Sequence, residues 1–76
     1  MFHSIEFTLR VRADLAVPGQ RRLEKIVLHT GTRLRAEVKP YVKDSDIGPL
    51  EVADLFLEDG SAVQHVRFAS FRFVDD

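Results

Sequence analysis

The stretch His3-Ser4-Ile5-Glu6-Phe7-Thr8-Leu9-Arg10-Val11-Arg12-Ala13 decides the fold class. Its odd positions read His, Ile, Phe, Leu, Val, Ala, and its even positions read Ser, Glu, Thr, Arg, Arg. Successive side chains of a strand point to opposite faces. Alternation over this length therefore predicts a β-strand with one buried and one wet face. Pro18-Gly19 ends the pattern, with the Pro-then-Gly order of a type II turn.

Working outward, Leu34, Ala36, Val38, Pro40 and Val42 alternate with Arg33, Arg35, Glu37, Lys39 and Tyr41, a second strand. Pro40 cannot donate a ladder hydrogen bond, so that strand should lie at an edge there or end nearby. Residues 20–30 fit a helix through Leu23, Ile26, Val27 and Thr30. They fit a strand through the apolar run Ile26 to Leu28 and a turn at Thr30-Gly31, and the short length favours the strand. Residues 43–49 (KDSDIGP) read as the main loop, stopped by Gly48-Pro49. Leu50 to Leu57 is apolar on both parities, as in a strand covered on both sides. Glu58-Asp59-Gly60-Ser61 predicts a tight hairpin. Val66 and Phe68 are even, whereas Phe71 and Phe73 are odd, and a β-bulge near Ala69-Ser70 would keep all four inward.

The expected fold is all-β: a small five-stranded antiparallel barrel or strongly curled sheet. The alternative is α+β, with a helix at 19–30 on a four-stranded sheet. Phe7, Leu9, Val38, Phe56, Phe68, Phe71 and Phe73 are the expected core.

The 76 residues leave room for one domain, 1–76. At 45% hydrophobic and 30% charged, the composition supports a core and excludes a disordered chain. With no cysteine, disulfides and thiolate metal sites are excluded, and a cytoplasmic location is expected. No run approaches the roughly 18 apolar residues of a membrane helix, so no membrane partner is expected. Met1 to Glu6 has no basic start followed by an apolar stretch, so no secretory signal is expected.

Charge is uneven along the chain. Residues 1–43 hold nine bases and four acids, +5, and residues 44–76 hold two bases and eight acids, −6. Such halves either interleave in one sheet or form opposite faces that favour a homodimer. Arg10, Arg12, Arg33, Arg35 and Lys39 lie on wet parities and form the candidate basic surface. If their strands were adjacent, this surface could contact phosphates, which makes nucleic acid the second partner class. Only Tyr41 is interleaved among them, and single-strand readers stack bases on several aromatics.

No motif carries recognisable chemistry. His3, His29 and His65 each stand alone in their segment, unlike paired zinc ligands, so no metal or other cofactor is expected. No serine lies in a Gly-x-Ser-x-Gly context. The pairs Asp44/Asp46, Glu58/Asp59 and Asp75/Asp76 fall in turns or at the terminus, where solvated acids are the rule. No catalytic residue is assigned, and the chain is not expected to be an enzyme.

Arg21-Arg22-Leu23-Glu24-Lys25, with Lys43-Asp44-Ser45-Asp46-Ile47-Gly48, resembles parts of a PilZ domain. That resemblance implies cyclic di-GMP held by an Arg-x-x-x-Arg pair and an Asp/Asn-x-Ser-x-x-Gly turn. Ser45 and Gly48 match it, but Lys25 replaces the second arginine and Lys43 the leading Asp/Asn. The function expected first is a non-enzymatic interaction or regulatory module with a protein partner. Nucleic-acid binding comes second, and small-ligand or cyclic-dinucleotide binding third.

Overall fold

The computed structural model describes residues 1–74; the acid pair Asp75/Asp76 lies outside the described residues. Residues 1–74 form strands β1 (His3–Phe7), β2 (Val11–Ala16), β3 (Glu24–Leu28), β4 (Arg33–Ser45), β5 (Gly48–Leu57), β6 (Ala62–Arg67) and β7 (Phe71–Phe73). A 3-10 turn, Phe68–Ser70, separates β6 from β7. All pairings are antiparallel, in the order β3-β2-β6-β5-β4-β1-β7. The sheet curls strongly into a half-barrel around one core. No helix forms over 19–30, because Ile26 and Val27 pair with Ala13 and Arg12 in the ladder.

Seven strands arise where five were expected, because long strands bend. Glu6 pairs with Arg33 and Val11 with Leu28, so the two pairings share one register. Likewise Phe7 pairs with Phe71 and Leu15 with Val63 at a single offset. The segment 3–16 is thus one strand in register, folded at Thr8–Arg10. Its neighbours fold at the facing positions, His29–Gly31 and Phe68–Ser70. The Phe7 N–H donates to the Thr32 carbonyl (2.9 Å), and the Gly31 N–H donates to the Phe7 carbonyl (2.7 Å). The N–H groups of Thr8 and Leu9 both donate to the Ser70 carbonyl (2.9 and 3.3 Å). These bonds carry the ladder across the fold line, where bent backbone would otherwise leave donors unpaired.

The inner parity holds Ile5, Phe7, Leu28, Ala36, Ala53, Leu55, Val63, Val66 and Phe71 in one buried cluster. Val38 and Phe68 are half-buried and pack against it. Three expected core residues lie outside. Leu9 is 57% exposed, because its strand turns at the fold line and throws the side chain out. Phe56 is 37% exposed, because Leu55 and Leu57 take the inner parity and Phe56 faces Glu37 on the other side. Phe73 is 47% exposed on the edge strand, packed edge-on against the His3 ring at 5.3 Å.

Residues 43–49 are no irregular loop. β4 and β5 pair out to Ser45 and Gly48 and reverse through Asp46-Ile47. Gly48 supplies a φ of +109°, and the Ser45 hydroxyl donates to its carbonyl (2.6 Å). β1 pairs with β4 only as far as Ala36, and β6 pairs with β5 only from Val52. The rest of the hairpin is a two-stranded arm. Pro40 lies where β4 has a neighbour on one side only, as its missing N–H requires.

The hairpin at Glu58–Ser61 forms as expected. The Leu57 N–H donates to the Ser61 carbonyl (2.8 Å) and the Gly60 N–H to the Leu57 carbonyl (3.1 Å). Gly60 has φ +90°, and a Cβ there would lie 3.3 Å from Pro18 Cγ. Gly60→Val should cost about 1–3 kcal/mol, because a β-branched residue resists positive φ. An unchanged urea midpoint would contradict it.

Glu6 clamps three strands. Its carboxylate accepts from Arg72 Nη2 (2.6 Å) and Nε (3.1 Å), and Arg33 Nε lies 3.6 Å away. The hydrogen bond from Arg72 holds its pKa below the ordinary 4.5, with the charges of both arginines assisting. The stabilisation is therefore complete above the unfolded carboxylate's pKa and is lost as pH falls through the folded value. Glu6→Gln should lower the urea midpoint at neutral pH, and its gap to wild type should close in acid. A gap that is constant with pH would contradict this.

Candidate functional site

The site grows from an irregularity in β6. Ala53 pairs with Val66 but Leu55 with Val63, so Gln64 and His65 together face Asp54. This is a β-bulge, and it lets Val63 and Val66 both point inward. The even-to-odd switch expected near Ala69-Ser70 is a separate one: Val66 and Phe71 are both buried, and the 3-10 turn Phe68–Ser70 makes the change between them in place of a bulge. His65 takes φ +62°, a left-handed conformation uncommon for a side-chain-bearing residue and one in which His is enriched. Asp54 holds it there: its Oδ1 accepts the His65 N–H (3.1 Å) and the Tyr41 hydroxyl (3.0 Å). Desolvation, then the bond to Asp54, raises the Tyr41 pKa. Lys43 Nζ lies 3.2 Å from His65 Nδ1. An ammonium can only donate, so Nδ1 accepts and Nε2 carries the ring proton.

Two recesses meet at Arg12 and His65. One, of about 510 Å³, runs over β3, β2 and β6 past Arg12, Asp14, Lys25 and Gln64. The other, of about 410 Å³, is lined by Leu9, Arg10, Val11, Arg12, His65, Arg67, Ala69 and Ser70. Three arginines and no acidic residue line it. Among the described residues, no carboxylate lies within ion-pair distance of Arg10, Arg12, Lys25 or Arg67.

The expected basic surface divides. β2 carries Arg12, with Arg10 just before it, and β6 and β5 separate β2 from β4. On β4, Arg33 pairs with Glu6 (3.6 Å) and Arg35 with Glu58 (3.4 Å). Lys39 faces Asp54 in register and lies 5.1 Å over the Phe56 ring. The charged halves of the sequence therefore interleave at β4–β5, while Arg10 and Arg12 have no ion-pair partner among the described residues. Lys25, His65 and Arg67 complete the site; from sequence, His65 is weighed as a metal ligand and Lys25 in the PilZ-like pair, and none of the three is placed on the basic surface. The odd-to-even step from Val63 to Val66 is the signal that marks the bulge beside them.

An array of planar guanidiniums around an exposed leucine suits carboxylates or phosphates, taken bidentately. Ser45, Ser61 and Ser70 donate to Gly48, Asp59 and Arg67 respectively, within their own turns. His3 lies on β1, His29 on the β3–β4 turn and His65 on β6, and no three His, Cys, Asp or Glu among the described residues group as a metal site. No helix of the described residues is long and apolar enough to cross a membrane. The PilZ-like residues divide between β3 with its leading loop and the tip of the β4–β5 arm, with β2 and β6 between β3 and β5. No protein-family model, curated protein or solved structure matches the chain.

A histidine held at positive φ stores strain, and a glycine there would not. His65→Gly should therefore keep or raise the thermal midpoint, whereas His65→Val should lower it. A large destabilisation by glycine would show that the ring, and not the bulge conformation, holds this corner.

Proposed function

We propose that the chain is a non-enzymatic interaction module that binds an acidic segment of a protein partner in the arginine recess beside β2 and β6. One observation carries this reading: Arg10, Arg12 and Arg67 line a single recess without a carboxylate among them, while Arg33, Arg35 and Arg72 all have one. Leu9, 57% exposed at the rim, offers an apolar contact beside the charges. Surfaces of this composition recognise acidic motifs through clustered arginines. A chain without cysteine is at home in a reducing compartment, and the cytoplasm is the proposed place of action.

Phosphates would satisfy the same guanidiniums, so nucleic acid is the competing partner. The scarcity of stacking platforms speaks against it, since among the residues lining the recess His65 alone carries a ring.

Calorimetric titration with an Asp/Glu-rich peptide carrying one leucine tests the reading. The full chain should bind it, and Arg10→Gln with Arg12→Gln should weaken binding about tenfold, the loss of one good charge-assisted contact or more. Unchanged affinity in that variant would remove the recess from the account. Tight binding of a mixed-sequence oligonucleotide, falling steeply with salt, would transfer the site to nucleic acid.

A further inference from the structure

The arm formed by β4 and β5 has two faces with different fates. Tyr41, Lys43, Leu50 and Val52 share one face, which turns onto the sheet. There Lys43 reaches His65, the Tyr41 ring packs edge-on against the His65 ring at 6.3 Å, and Val52 is 3% exposed. The opposite face continues the inner parity past the end of the core. It carries Val42 facing Glu51 and Asp44 facing Pro49, all four exposed. Asp46 and Ile47 form the tip, with Ile47 81% and Val42 63% exposed. Asp44, Asp46 and Glu51 have no ion-pair partner among the described residues. The molecule therefore holds three unpaired carboxylates around exposed aliphatic groups on the arm. It also holds three unpaired guanidiniums around an exposed leucine in the recess.

We infer that the β4–β5 arm of one copy docks in the arginine recess of a second copy. The inference rests on the reading of the recess as a site for acidic segments, and it names this chain's own arm as the occupant. Charge and apolar character match group for group: Asp44, Asp46 and Glu51 against Arg10, Arg12 and Arg67, and Ile47 or Val42 against Leu9. The recess and the arm adjoin, since Lys43 touches His65 at the recess wall. A two-fold axis that places one arm on the partner's recess therefore returns the partner's arm to the first, a closed and self-complementary exchange. Pairing through the free edge of β4 is the competing geometry. It is opposed by Pro40, which has no N–H, and by Lys39 and Lys43, which charge that edge.

Sedimentation velocity of the full chain tests this, at micromolar concentrations in salt of about 0.05 M and about 0.5 M, which spans strong and weak screening. A dimer is expected at low salt, and it should dissociate at high salt. Asp44→Lys with Asp46→Lys should be monomeric, and Arg10→Glu with Arg12→Glu should be monomeric too. Mixing the two variants should form a heterodimer with one complementary arm–recess pair of each sign. Wild type that stays monomeric at low salt overturns the inference, whether or not the variants fold. A dimer that survives both salt and the arm reversal overturns it in favour of edge pairing. The acidic peptide separates the two readings. If it binds the recess of a monomeric wild type, the recess reading stands and the docking of a second copy falls. If neither peptide binding nor self-association occurs, both fall.

Discussion

The Ser70 carbonyl accepts the N–H groups of Thr8 and Leu9, and the architecture depends on the fold line that these bonds cross. A strand of 14 residues from His3 to Ala16 would be too long and flat for so small a core to cover. Folding it at Thr8–Arg10 lets one continuous sheet curl around a core that includes Phe7 and Phe71. The bend is shared by three neighbouring segments, so register survives it on both sides. The Gly31 N–H and the Phe7 and Thr32 carbonyls complete the corner. Ser70 is held in turn by its own hydroxyl, which donates to the Arg67 carbonyl (2.5 Å).

The same corner makes the candidate site. Because β1 and β2 diverge there, Arg10 and Arg12 leave the neighbourhood of Glu6 and come beside Arg67. Because the 3-10 turn returns the chain from β6 to β7, Ala69 and Ser70 floor the recess. The bulge at Gln64-His65 then raises the histidine at the recess wall, fixed by Asp54 from β5 and by Lys43 from the arm. Core geometry and surface chemistry are thus coupled: the irregularities that let a small sheet curl bring Arg10, Arg12, His65 and Arg67 together around one recess.

Much of the fold was legible in the chain. Alternation in 3–13 and 33–42 identified strands and the inward set Ile5, Phe7, Ala36, and Asp59-Gly60 located its hairpin. The bend was not legible, because Leu9 continues the apolar alternation through the fold line and nothing local distinguishes it from Phe7. Phe56 misled for the opposite reason: its neighbours Leu55 and Leu57 are equally apolar, and parity alone could not choose between them. At the tip, Gly48-Pro49 reads as a break in any single-sequence view. It begins β5 because Asp46 and Ile47 reverse the chain without positive φ, and Gly48 just after them supplies it at +109°.

The site was half legible. Arg10 and Arg12 stood out by charge and parity, but whether they joined Arg33 and Arg35 depended on strand order, a long-range property. Hydrogen exchange at single-residue resolution measures the central claim most directly. The Thr8 and Gly31 amides, bonded across the fold line, should exchange only through global unfolding and be protected as well as those of β1 and β2. Fast exchange at both, with β1 and β2 still protected, would contradict the account: the corner would then be a loose hinge between two separately stable halves of the sheet.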